Sequence, residues 1–143
     1  MNQGLLENRP AALYWLLGLA QAAHSIEEMR THLYIFFETA TGRLHNILPS
    51  VSPFRMPADT FAALNMTFIA VLLGTVPFVY AGRRWARMLA GGVAVVEILN
   101  GTAHLLGAAI FRGYVPGVAS APLLLLLGAF LLRELARAPG ERP

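Results

Sequence analysis

The sequence predicts an all-α protein: a four-helix transmembrane bundle, up-down and antiparallel, with both termini cytoplasmic. Three observations carry this expectation. Hydrophobic residues fill 56% of the 143 positions and charged residues only 13%, against about 45–50% and about 25% in an ordinary soluble domain. Four apolar stretches each reach the roughly 20 helical residues that a bilayer core requires. The later stretches are joined by connections so short that successive helices must be antiparallel neighbours. The mean hydropathy of +0.55 excludes a disordered chain. The absence of cysteine excludes a disulfide scaffold or a thiolate metal site. In a soluble protein the net charge of +3 would suggest nucleic acid. Here every basic residue is an arginine set singly or in a short cluster between apolar runs, which fits anchors at a membrane surface, and no nucleic-acid partner is expected.

Residues 1–143 are expected to form one integral membrane domain with helices at about 10–37, 57–82, 85–111 and 115–136. The first opens on Pro10, a favoured first-turn residue. Its apolar run followed by AQAAHS has the outline of a signal peptide, but Glu7 beside Arg9 makes a poor basic leader, so the segment is expected to be retained. The second helix is uncharged from Thr60 to Gly82 and carries Pro77 near its end, which membrane helices tolerate. The third holds a single charge from Met88 to Phe111, Glu97. The fourth is uncharged from Gly113 to Leu132, with Pro116 near its start. Residues 41–57, rich in Pro, Ser and Gly, read as the one long loop.

Arginine placement sets the orientation. Arg9, Arg83, Arg84, Arg87, Arg133, Arg137 and Arg142 fall on one side of such a bundle, and Arg30, Arg43, Arg55 and Arg112 on the other. The richer side is expected to face the cytoplasm, in a multi-pass protein of the plasma (inner) membrane. Gly91, Gly92, Gly101 and Gly107 permit close helix approach on the third helix, within one chain or between chains, and leave the oligomeric state open.

The informative residues are polar groups inside these helices. An ionisable side chain at mid-membrane costs about 2.5–3.5 kcal/mol on insertion scales, so each needs a partner or a task. The first helix carries His24, Glu27 and Glu28 within an arc of about 100°, with Gln21 and Thr31 on the same face. The third carries Glu97, Asn100 and His104 within about 60°. At ~1.5 Å per residue the two stripes share a level in the outer half of the membrane, and Asn65 of the second helix descends to it.

Side chains three or four residues apart on a helix point the same way and can chelate one ion. A mononuclear site of His24, Glu28, His104 and Glu97 would hold a divalent metal such as iron, zinc or manganese. Glu27 would then act as general base, with Glu28 and Asn100 also in the catalytic set and Gln21, Thr31 and Asn65 lining a substrate pocket. The same groups without a metal could move protons in an isomerase or cyclase acting on isoprenoid-like substrates. A third reading is non-enzymatic: a small transporter, lipid-binding or structural subunit whose polar groups merely tie helices together. In the enzymatic readings the substrate is lipophilic and arrives from the lipid bilayer.

With these residues laid out, the chain resembles the HXXEE-motif family of small bacterial integral membrane proteins. His24-Ser25-Ile26-Glu27-Glu28 matches the signature, Asn100-Gly101-Thr102-Ala103-His104 the second motif NxxxH, and Tyr114-Val115-Pro116-Gly117 a YxPG element. The resemblance implies a membrane enzyme whose site includes His24, Glu27, Glu28, Asn100 and His104. It implies no particular substrate, and it leaves Glu97 resting on its helical face alone.

Overall fold

The computed structural model describes residues 8–137. Five helices follow in order: α1 Arg9–Arg30, α2 Leu33–Ile47, α3 Ala58–Tyr80, α4 Arg84–Phe111 and α5 Ala121–Arg137. The described residues contain no strand, so the all-α expectation holds. Arg142, used above to orient the chain, lies outside the described residues.

Two expected boundaries are corrected. The stretch read as one helix over 10–37 breaks after Arg30, where the Thr31 amide and hydroxyl both turn back to the Glu27 carbonyl. His32 then adopts a left-handed backbone (φ 59°), a conformation few residues other than glycine take up. Helix α2 resumes at Leu33 and continues into the stretch read as a loop, taking up residues 41–47 of it, to Ile47, just ahead of Pro49. Gly42 misled the reading: it is accommodated inside the helix. The last helix starts at Ala121 instead of about 115. Pro116, whose φ is fixed, and Gly117, at φ +90°, hold 112–120 in turns. Pro122 in the first turn of α5 marks the true start.

Cross-helix contacts establish the up-down order. Tyr14 Oη meets Thr75 Oγ1 at 2.8 Å and Ser25 Oγ donates to Asn65 Oδ1 at 2.6 Å, so α1 and α3 are antiparallel. At the far end Asn8 Nδ2 donates to the Tyr80 carbonyl at 3.1 Å. Helix α4 runs antiparallel to α5: a methyl group at Gly101 would come within 2.7 Å of the Ala121 carbonyl oxygen, and one at Gly128 within 2.9 Å of that of Ala94. The two backbones therefore touch, as small residues allow where helices pack without bulky side chains between them. Fully buried Ala11, Ala86, Ala90, Ala94 and Ala121 extend this tight packing, with Tyr14, Leu17, Leu72, Leu124 and Leu131 filling the core. Helix α1 lies between α3 and α5, and α4 closes the bundle against α5 and α3. Helices α1 and α4 thus face each other across the bundle, and that separation is filled by side chains.

Among the described residues two helices, α3 and α4, are long and apolar enough to cross a membrane. Helix α2 leaves the end of α1 and rests Phe36 on Phe111 at the end of α4, ring centroids 5.4 Å apart.

Candidate metal centre

His24 and Glu28 stand one turn apart on the inner face of α1, and His104 comes from the last third of α4. His24 Nε2 lies 3.1 Å from Glu28 Oε1, and His104 Nε2 lies 3.2 Å from the same oxygen. The two imidazoles meet edge to face, centroids 4.8 Å apart. All three side chains are buried, and one ligating atom from each lies within 4.8 Å of the others. Donors bound at ~2.0–2.1 Å in a tetrahedral site stand about 3.3 Å from one another. Both short distances here are close to that separation. A carboxylate oxygen offers only lone pairs, so two nitrogens converging on one oxygen are favourably placed when a cation or protons lie between them. No ion pair joins Arg30 to either glutamate among the described residues.

A cap closes the cluster. The backbone of Gly117 lies directly on both rings: a Cβ there would stand 2.7 Å from His104 Cε1 and 2.8 Å from His24 Cε1. Its φ of +90° is one that a residue with a side chain rarely adopts. Both requirements fall on the glycine of the Tyr114–Gly117 turn.

Glu27 holds that cap in place. Neighbouring residues on a helix point about 100° apart, so Glu27 cannot share the triad with Glu28. It faces residues 112–120, where Oε1 accepts from Tyr114 Oη at 2.6 Å and the Ala119 amide at 3.0 Å. Oε2 accepts from the Ser120 amide at 2.9 Å and Ser120 Oγ at 2.5 Å. A carboxylate taking amides just ahead of α5 is also well placed for the helix dipole. The bond to Glu27 raises the ionisation of the Tyr114 phenol above its ordinary range, since a phenolate there would face the carboxylate.

Of the other candidates, Asn100 reaches the cluster, with Nδ2 3.3 Å from His24 Nε2. Glu97, expected among the ligands, stands two turns below His104 and does not reach the triad. It is fully buried with Gln21, and Asn100 lies between it and His24. Asn65 and Gln21 form a separate strand of hydrogen bonds through Ser25. Thr31 closes α1 against the Glu27 carbonyl at 2.7 Å and does not reach the ligating atoms.

The Gln21 strand fixes where its protons lie. Asn65 Nδ2 is committed to the Phe61 carbonyl at 3.1 Å, so Asn65 Oδ1 must accept the Ser25 hydroxyl proton. Ser25 Oγ then accepts from Gln21 Nε2 at 3.1 Å, which turns the Gln21 oxygen toward Glu97, with O···O separations of 2.9 and 3.2 Å. That contact is favourable when Glu97 is in its acid form. Infrared difference spectra of Glu97→Gln against wild type should therefore lose the carbonyl band of a protonated carboxyl. Loss of a carboxylate band instead would reverse the assignment of the Gln21 amide.

Sequence reasoning missed Ser120 and Gly117. Gly117 had a signal, the Pro-Gly pair in the YxPG element. Ser120 had none, because its role depends on how the chain turns back over α1.

Fold and site define a class: an all-α protein with a buried His-Glu-His cluster capped by a glycine turn. The chain matches the family described as protein of unknown function with HXXEE motif over residues 15–132, and it belongs to that family. No curated protein and no solved structure is detectably similar to it.

Proposed function

We propose that this chain is a multi-pass membrane protein that binds a divalent metal through His24, Glu28 and His104 and uses it on a lipophilic substrate. The observation that carries the reading is the convergence of two imidazole nitrogens on one buried carboxylate oxygen, at 3.1 and 3.2 Å. Two histidines and one carboxylate are a donor set of catalytic zinc and of non-haem iron, which keep a coordination position open. A metal so held supplies a Lewis acid or an activated water.

The protein's own groups then have distinct tasks. Asn100 Nδ2, beside His24 Nε2, is placed to hydrogen-bond a molecule at the open position. Glu27, with its four donors, holds the cap; this reading gives it that task in place of the general base. Gly117 shields the rings from one side.

The membrane setting is supported by the exterior. Helices α3 and α4 are able to span, and the bundle exposes Leu64 on α3, Leu99, Leu106 and Ile110 on α4, and Leu126 and Phe130 on α5, between 49% and 74% accessible. An apolar exterior around a polar centre suits lipid contact better than water. With α1 and α5 completing the crossing, these form the four-helix transmembrane bundle, and α2 lies at one end. A site inside such a bundle favours a substrate that arrives through lipid.

Titration of the chelator-treated, detergent-purified protein with Zn(II), Mn(II) and Fe(II) tests the reading. One equivalent should bind the wild type and none the His24→Ala, His104→Ala double variant. Failure of all three ions to bind the wild type would leave the cluster as a hydrogen-bonded imidazole–carboxylate group and favour metal-free proton transfer.

A further inference from the structure

We propose that Ser120 is a positioning residue that commits His24 to the tautomer in which Nδ1 carries the proton and Nε2 is bare, making Nε2 a metal ligand. The proposal rests on the metal reading above and adds what selects the ligating nitrogen.

Proton counting leads to it. Both oxygens of ionised Glu27 only accept. The Ser120 hydroxyl lies 2.5 Å from Glu27 Oε2, so its single proton is spent there; its other acceptor, the Gly117 carbonyl at 3.4 Å, is too far to compete. Ser120 Oγ then has only lone pairs to offer His24 Nδ1 at 2.7 Å, and the proton of that bond must come from the imidazole. A neutral imidazole has one N–H. Nε2 is therefore left with its lone pair, 3.1 Å from the lone pairs of Glu28 Oε1. That juxtaposition is repulsive when empty and favourable around a cation.

The relay also explains why two adjacent carboxylates are needed. Glu28 faces the cation directly, while Glu27, through Ser120, sets which end of His24 faces it. Hydrogen bonds to the far nitrogen of a ligating histidine fix its ring and raise its basicity, and losing one costs about 10–100-fold in metal affinity.

Nitrogen NMR of protein carrying ring-labelled histidine, stripped of metal, reads the tautomer without reference to metal binding, with His24 assigned by its loss in His24→Gln. Wild type should show a protonated Nδ1 and a bare Nε2, and Ser120→Ala should lose that preference while Ser120→Thr keeps it. Zn(II) affinity should fall about 10–100-fold in Ser120→Ala and recover in Ser120→Thr. A His24 protonated at Nε2 in the wild type, alone or together with Nδ1, would overturn the assignment, as would an unchanged tautomer in Ser120→Ala. Should Ser120→Ala fail to fold, the wild-type spectrum decides alone. The expected tautomer in a protein that binds no ion would refute the metal reading and leave the role of Ser120 intact. Full Zn(II) affinity in Ser120→Ala would refute the role and leave the metal.

Discussion

Glu28→Gln should remove divalent-metal binding while leaving the helices folded. The amide keeps the size of the side chain, but it cancels the charge of the carboxylate on which His24 and His104 converge and puts an NH2 group, which cannot ligate, in place of one oxygen. Loss of a direct donor should cost more than the ~10–100-fold that an outer hydrogen bond is worth. Metal titration together with a far-ultraviolet dichroism spectrum separates the outcomes. Helical protein with no bound ion is expected, and helical protein binding as tightly as wild type would remove Glu28 from the site.

Gly117→Ala should be the most damaging change in the cap. Its methyl group would be forced to within 2.7–2.9 Å of both imidazoles, at a backbone angle that disfavours any side chain. Overpacking of this kind costs about 1–3 kcal/mol and the backbone strain about 1–3 more. The rings cannot give way without breaking their own contacts to Glu28, so the turn must lift and its bonds to Glu27 must lengthen. A lower thermal midpoint and weaker metal binding should appear together. Gly42→Ala is the control: nothing stands within 4 Å of the new methyl, in the middle of α2. There the exchange should be neutral or stabilising by about 0.5–1 kcal/mol. Equal effects at the two sites would mean that the cap does not press on the triad.

The triad was legible in the sequence because helical periodicity fixes direction. His24 and Glu28 are one turn apart, and depth along the bundle brings His104 level with them. Periodicity does not fix height finely enough. Glu97 shares the face of His104, but seven residues separate them, about 10 Å along the axis, and at that level its neighbour is Gln21. Glu27 was legible as important and as separate from the ligands, since adjacent residues diverge by about 100°, but its partners on residues 114–120 were not. The break at Thr31–His32 carries no glycine or proline, the residues from which breaks are usually read, so α1 and α2 looked continuous. The cap was illegible as a cap. Residues 113–120 are uncharged and merge in composition with α5; only the pair Pro116–Gly117 marks the turn, and only the folded chain places Ser120 against His24.

The most direct test of the central claim is the coordination shell itself, by X-ray absorption on detergent-purified protein reconstituted with one equivalent of Zn(II). Two imidazole nitrogens at about 2.0–2.1 Å and carboxylate oxygen at about 2.0–2.2 Å are expected, with the imidazole scattering lost in the His24→Ala, His104→Ala variant. A shell of oxygen alone, or one unchanged in that variant, would contradict a metal centre at His24, Glu28 and His104.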